Sequence, residues 1–415
     1  LKRVAWKRSE RPGVRLAAIE LLAEDDEADT ARMLSLMLPT ETSWPVIEGV
    51  SRMAVERGWT AMTPALVRSW ARWVPEPADA DRPERAALAQ LHPDRSVEEV
   101  VFDVFLHPEG PRPERLRADA WGLLSRLDDS GAWTSSRVAQ LSPEDVAKDP
   151  LLEAIRSAAA DLAAVPRTSE QLERLTRMRR DAERWRQAAQ AIAQLRTEQR
   201  EGLTLAHAPL VLWAREHAPS LLAQSREALL DDAAEALARF KHARRTAGHP
   251  DDLAAPRETI EESRDRLSWG DALALHIALR ALEEQRLVDE LAKQMDADRR
   301  DTSTEYGGLI DYDGQRFVAR LYPPRPSQRF GDNRFVASSD LLDASAWSLF
   351  LYHFHASSVQ HSEFAGPGSG DLDFAKRHSC ACLVFTSVAV GAFDADYYQR
   401  AGAIVDLGVR RRFSR

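Results

Sequence analysis

Three histidines and two aspartates crowd one short stretch near the end of the chain, YHFHASSVQHSEFAGPGSGDLDF, Tyr352–Phe374. His353 and His355 stand two apart in an aromatic, apolar run, SAWSLFLYHFHA (Ser345–Ala356), which reads as a buried strand. Side chains of a strand alternate between its faces, so both imidazoles project the same way, about 6.5–7 Å apart along the backbone. Two imidazoles so placed can converge on one metal ion. A catalytic zinc site takes three protein ligands and leaves the fourth position to water. The third ligand is expected from a nearby loop, as a carboxylate. Asp371, where a Gly-Pro-Gly-Ser-Gly loop meets a short predicted helix, DLDFAKRH, suits that role at a helix N-cap. His361 is the rival third ligand.

Hydrolysis at such a centre also needs a base that takes a proton from water and passes it to the leaving amine. Glu305, in STEYGGLI, is a candidate because it opens a strand continued by Gly307-Gly308, and two glycines leave room for a close backbone or substrate approach. The plainer reading of Glu305 is a solvated carboxylate at a strand end. Spacing alone does not bring it beside the histidines.

Taken in order, Glu305-Tyr-Gly-Gly-Leu, then His353-Phe-His355, then a loop with Pro, Ser and Asp, the residues resemble the JAMM (MPN+/JAB) metalloproteases. That pattern is a Glu in an E-x-x-G-x-L-like strand, then His-x-His, then Ser-x-x-Asp. The resemblance covers approximately residues 301–408 and says nothing of what precedes them. It implies a small α-β-α sandwich of the JAB/MPN type and a Zn2+ ion held by His353, His355 and Asp371. Glu305 would be the general base, and Ser369 would stabilise the oxyanion of the tetrahedral intermediate. Family members cleave isopeptide or peptide bonds, often just after a ubiquitin-like tail, and bacterial members process ubiquitin-like proteins or sulfur carriers. The implied partner is therefore a ubiquitin-like protein or its conjugates. Three departures stand out. Ala356 follows the second histidine where Pro is common, the segment from His355 to Asp371 is longer than usual around His361, and Ser369 lies two residues before Asp371 rather than three. Registering on the serine would make Asp373 the ligand; Asp371 is preferred because it follows Pro367 by four residues.

His-x-His by itself also occurs in amidohydrolase barrels and cupins. A barrel needs most of about 250 residues, and only 60 follow His355 (415 − 355). A zinc deaminase carries His-x-Glu and Pro-Cys-x-x-Cys. Here the two cysteines, Cys380 and Cys382, lie on an apolar run, CACLVFTSVAV, that reads as core strand.

The elements that must position these residues divide by periodicity. As far as about residue 300, apolar residues recur at helical spacing, as in VRLAAIELLAEDD, WPVIEGVSRMAVERG and RLRADAWGLLSRLDDSG. Leu16-Ala-Ala-Ile-Glu-Leu-Leu echoes Ala118-Asp-Ala-Trp-Gly-Leu-Leu, 102 residues on (118 − 16), or three units of about 34 residues, a period of helical repeats. Residues 1–165 are therefore expected to form a HEAT-like α-solenoid, which presents an extended surface to partners; an irregular bundle is the alternative. Residues 166–299 read as long helices, among them Leu172–Leu195 with an a/d seam better suited to an antiparallel helix pair, SREALLDDAAEALARFKHARR, and GDALALHIALRALEEQRLVDELAKQM, where His276 on an apolar stripe reads as core or boundary. After Asp301 the pattern turns to strands: EYGGLIDYDGQRFVARLY, a hairpin turning at Asp313-Gly314, then the histidine run, CACLVFTSVAV and AGAIVDLG. The fold class is thus multidomain, a helical front followed by an α/β domain over residues 300–415.

Composition removes other classes. A net charge of −9 argues against a general nucleic-acid binder, and no apolar run reaches the ~18 residues of a membrane span. Two cysteines placed i, i+2 cannot form a stapling framework, which points to a reducing cytoplasm. The first residues, LKRVAWKRSE, hold no apolar signal core, and opening at Leu1 rather than Met fits a chain cut from a longer one. The basic RRRFSR tail is expected to be solvated. Neither a nucleotide-binding loop nor a Ser/His/Asp arrangement can be argued from spacing. Two further functions compete with a zinc isopeptidase: a non-catalytic interaction protein with an MPN-like scaffold, and a zinc peptidase acting on ordinary polypeptides in a defence or stress pathway.

Overall fold

The computed structural model describes residues 1–110, 112–128, 131–147, 149–243, 258–331 and 334–413. The chain divides into two compact units: Leu1–Arg137 with Arg167–Ser169, and Val138–Pro166 with Glu170–Arg415. A helical region followed by an α/β region is borne out. The helices from Pro150 onwards cluster with the sheet rather than forming a unit of their own. None of the described helices is long and apolar enough to cross a membrane.

The first unit is made of short helices, from 5 residues at Lys2–Trp6 to 15 at Pro113–Leu127. Helices this short are marginal alone and hold through their packed faces. Val46, Ile47, Val50, Leu66, Trp70, Phe105 and Trp121 fill the interior, each at most 1% exposed. Two ion pairs lie within it. Arg82 grips Glu84 through two bonds, Nη2–Oε1 at 2.7 Å and Nε–Oε2 at 3.0 Å, and also donates to the Ser69 carbonyl at 3.1 Å, while Ser69 Oγ donates to Glu84 Oε1 at 2.7 Å. Arg15 pairs with Glu41 and donates through Nε to the Ala5 carbonyl at 2.8 Å.

The second unit is built on one six-stranded sheet: β1 (Gly307–Tyr312), β2 (Phe317–Leu321), β3 (Phe350–His355), β4 (Cys382–Ala389), β5 (Ala392–Tyr398) and β6 (Ile404–Arg411), in the order β2-β1-β3-β4-β5-β6. Only β3 and β4 are parallel, and the Ser369–His378 helix makes their crossover. The expected hairpin is present, with Gly314 at φ +95° in its turn. Alternation gives the sheet two faces of different character. One carries Tyr352, Phe354, Phe385 and Tyr397 and is covered by the Trp269–Glu283 and Gln285–Asp298 helices, where Tyr352 Oη meets Gln294 and Tyr397 Oη donates to Asp271 Oδ1 at 2.9 Å. On the other, Leu309, Leu351, Cys382, Val384, Tyr398 and Ile404 join Ala375 of the Ser369–His378 helix in one core. Further along that same face the side chains turn polar: Glu305, His353, His355, Thr386, Asp394, Asp396 and Asp406, of which all but His355 are buried. A sheet side that begins as core and ends as clustered imidazole and carboxylate is where chemistry can be placed without losing the fold.

The helix pair read over Leu172–Leu195 is present as two helices, Ser169–Met178 and Ala182–Ala193, where Asp181 caps the second by accepting from the Arg184 amide at 3.0 Å. Other expectations need correction. The helix expected from Ser225 ends at Leu237, and its last two residues lie outside the described ones. GDALALHIALRALEEQRLVDELAKQM breaks at Glu284 into the two helices that cover the sheet. His276 has the core or boundary role expected of it: it is half-buried, its Nε2 lying 2.7 Å from the Leu229 carbonyl. The RRRFSR tail is not wholly solvated: Arg410 and Arg411 continue β6, Arg410 is 6% exposed, and the last two residues lie outside those described.

Candidate metal centre

β3 supplies the first two donors as its alternation requires. His353 Nε2 lies 3.1 Å from His355 Nε2, the two rings meeting nearly edge to face at 72°. β3 is buried on both faces, so the ladder on each side fixes where these rings point. His353 is 1% exposed. Phe335 stacks against its ring at a centroid separation of 5.6 Å. That stacking accounts for Gly307, since a Cβ there would come within 2.5 Å of the Phe335 ring. The close approach expected at the two glycines is thus made by the protein itself.

The third donor comes from the crossover helix. Asp371 Oδ1 lies 3.2 Å from His353 Nε2, and its Oδ2 lies 3.5 Å from His355 Nε2. Asp371 is not the N-cap. The helix begins two residues earlier, at Ser369, with Gly368 as N-cap, which places Asp371 at the third helical position. From there Oδ2 accepts the Gly368 amide at 2.8 Å, which satisfies a helix-start donor and fixes the carboxylate. Burial pushes the Asp371 carboxyl up, but the adjacent His353 and His355 pull it down further, leaving it well below the ordinary carboxylate value.

Glu305 reaches the same point through strand register. β1 and β3 are antiparallel with Gly307 opposite His353, and the ladder continues as the Phe354 amide donates to the Tyr306 carbonyl at 3.0 Å. Two residues back from Gly307 therefore stands opposite two residues on from His353, which sets Glu305 against His355 on one face. Ligand atoms of Glu305, His353 and His355 all lie within 4.8 Å of one another, with Glu305 7% exposed. Asp298, at the end of the Gln285–Asp298 helix, accepts the Tyr306 amide and so anchors the strand start beside Glu305.

The donor set fits zinc. Nitrogen and oxygen ligands at 2.0–2.1 Å in a tetrahedron stand about 3.3 Å apart, and the three observed separations are 3.1, 3.2 and 3.5 Å. A ligating Nε2 leaves the hydrogen of His353 on Nδ1, which faces Tyr398 Oη at 3.4 Å, the kind of outer partner that fixes a ligand's tautomer.

The remaining expected residues stand apart. Ser369 is exposed at the first position of the helix and takes no part in the hydrogen bonds of the cluster. Asp373 is also exposed. His361 sits in the loop after β3, its Nδ1 3.3 Å from Ser358 Oγ and 3.4 Å from Ser357 Oγ, its ring stacked on Phe364 at 4.8 Å, and its amide bonded to the Ser387 carbonyl at 2.8 Å. Burial, then the charge of His355, lowers its pKa. It roofs the loop rather than joining the donors.

Sequence reasoning missed a second group on the same face. Asp394, Asp396 and Asp406 bring their carboxylates within 4.8 Å of one another, all buried. Burial, followed by the charge of Asp406, pushes Asp394 up to about 8. The signal was the alternation in AFDADYY, which puts Asp394 and Asp396 on one face with Tyr398.

No protein family, curated protein or solved structure matches the chain.

Proposed function

We propose that the chain is a zinc-dependent peptidase or isopeptidase of the JAMM type, its sheet unit an α-β-α sandwich of the JAB/MPN kind, acting on a ubiquitin-like protein or its conjugates. The observation that carries this reading is the convergence of four side chains from three places in the fold: Glu305 from the segment that leads into β1, His353 and His355 from β3, and Asp371 from the crossover helix. His353, His355 and Asp371 would hold the ion. A zinc ion in that position supplies Lewis acidity for a scissile carbonyl and acidifies water.

Glu305 does the proton work. It is buried beside the imidazoles, accepts the proton of the attacking water and delivers it to the departing nitrogen, so that an amine leaves rather than an amide anion. The Asp371 carboxylate offsets one of the two positive charges of the ion, and Tyr398 holds His353 in the ligating tautomer. Ser369, exposed at the helix start, is assigned to the oxyanion by resemblance alone. The HEAT-like helical front is assigned to recruitment of substrate or partner, in a reducing cytoplasm that keeps Cys380 and Cys382 as the free, buried thiols they are.

The test is Glu305→Gln, assayed on a ubiquitin-like protein extended through its C-terminus by a peptide or isopeptide bond. Cleavage should fall by about 10²–10⁴-fold, while about one zinc per chain remains. Loss of zinc together with cleavage would make Glu305 a ligand and not a base. The exposure of Ser369 favours a second reading, a zinc-holding interaction protein without catalysis; wild-type protein that holds zinc, binds the ubiquitin-like protein and leaves every such bond intact would establish it.

A further inference from the structure

The face that carries the imidazoles continues across the sheet into the carboxylates of β5 and β6. Register aligns His353 with Val384 and Asp396, and His355 with Thr386 and Asp394. The aspartates therefore lie two strands, about 10 Å, from the imidazoles on the same face. Asp396 is itself opposite Asp406, next to a bulge between Ala395 and Asp396 that faces Gly408, at φ +86°. A bulge re-aims side chains, and here it brings Asp406 towards both aspartates of β5.

Carboxylates crowded on a surface carry no message, because water disperses their charge. These are enclosed: Asp394 is 0% exposed, Asp396 1% and Asp406 7%. Among the described residues, neither oxygen of Asp394 has a hydrogen-bond partner; the Ala243 amide favours its ionised form without meeting hydrogen-bond geometry at either oxygen. Among the described residues, the donors nearby meet Asp406 rather than Asp394: His242 Nδ1 and the Gly408 amide contact it, at 3.0 and 2.7 Å. The guanidinium of Arg410 lies 3.7 Å from the centroid of the Phe240 ring and donates to the Val409 carbonyl at 3.5 Å, while its buried Nη2 meets no hydrogen-bond partner and its charge favours the ionised form of Asp394 without a hydrogen bond to it. Three buried carboxylates beside one guanidinium and one imidazole, with Asp394 bonded to neither, are unfavourable unless further positive charge joins them.

We propose that Asp394, Asp396 and Asp406 bind a hard divalent cation of the Ca2+, Mg2+ or Mn2+ class, at a site separate from the imidazole centre. Oxygen donors without nitrogen or sulfur select such ions over zinc, and mutual separations up to 4.8 Å suit oxygens held about 2.3–2.6 Å from calcium. The site also touches the loop that leads into the Ser369–His378 helix. A Cβ on Gly366 would stand 3.7 Å from the Asp396 carboxylate. The cation thereby braces the loop that positions Asp371.

The experiment uses the full chain carrying His353→Ala and His355→Ala, stripped of metal, so that the outcome does not depend on the zinc reading. Titration with Mn2+, followed by electron paramagnetic resonance, should show one ion bound per chain, displaced by Ca2+, with a rise in melting temperature on adding either ion. Adding Asp394→Asn, nearly isosteric, should weaken Mn2+ binding at least tenfold and abolish the rise; Asp406→Asn serves as a second variant should the first misfold. No Mn2+ or Ca2+ bound at millimolar concentration would overturn the proposal and leave a cluster neutralised by a proton. Unchanged binding in folded Asp394→Asn protein would overturn it equally.

Discussion

The two units of this chain bury charge in opposite ways. In the helical unit, Arg82 and Glu84 are 1% and 0% exposed at their side chains, and every bond they make closes on a partner within the protein. In the sheet unit, two imidazoles and a carboxylate present their donor atoms to one another at 3.1–3.5 Å, with a second acid beside them. A fixed guanidinium completes the first arrangement, and a cation would complete the second. A buried ion pair whose partners are both protein is a matter of folding, whereas converging donors on one end of a sheet face are a matter of binding.

That contrast can be broken in several ways. The largest effect is expected from metal removal: a strong chelator, or His355→Ala, should bring hydrolysis to the uncatalysed background while circular dichroism shows the helices intact. A chain that unfolds on chelation would make the centre structural. Next comes Glu84→Ala, which strands the Arg82 guanidinium and should cost about 3–5 kcal/mol in urea unfolding, with zinc content unchanged. A loss of zinc in that variant would mean that the two kinds of buried charge are not independent. Tyr398→Phe removes the outer partner of His353 and should weaken zinc 10–100-fold, about 1.4–2.7 kcal/mol, read by competition with a chromogenic chelator. The smallest effect is expected of Asp373→Asn, which should shift zinc affinity less than twofold, because Asp373 is exposed and outside the cluster; a larger loss would hand it the place given to Asp371.

How much of this was legible in the residues depended on the range of the interaction that decides each feature. The pairing of His353 with His355 follows from a period of two, a local property of any strand. The helix after the Gly-Pro-Gly-Ser-Gly loop was legible from its residues, but its start was displaced: a glycine took the N-cap, and Asp371 acts from the third helical position. The place of the break at Asp181 was hidden because an uninterrupted apolar seam and two helices with a capping aspartate share the same spacing. Glu305 could be named but not placed, since its distance from His355 is set by the register between β1 and β3, a contact between residues far apart in the chain. Asp394, Asp396 and Asp406 escaped notice because alternating acids in a strand read as a solvent face. Only the sheet order, which sets β5 and β6 beside β4, turns that face inward.

The most direct test is a zinc titration of metal-free wild-type protein alongside His353→Ala, His355→Ala and Asp371→Ala variants. The converging donors require one tightly held zinc per wild-type chain and at least a hundredfold weaker binding in each variant. Wild-type protein that binds no zinc, or folded variants that bind it as tightly as wild type, would contradict a metal centre at this end of the sheet.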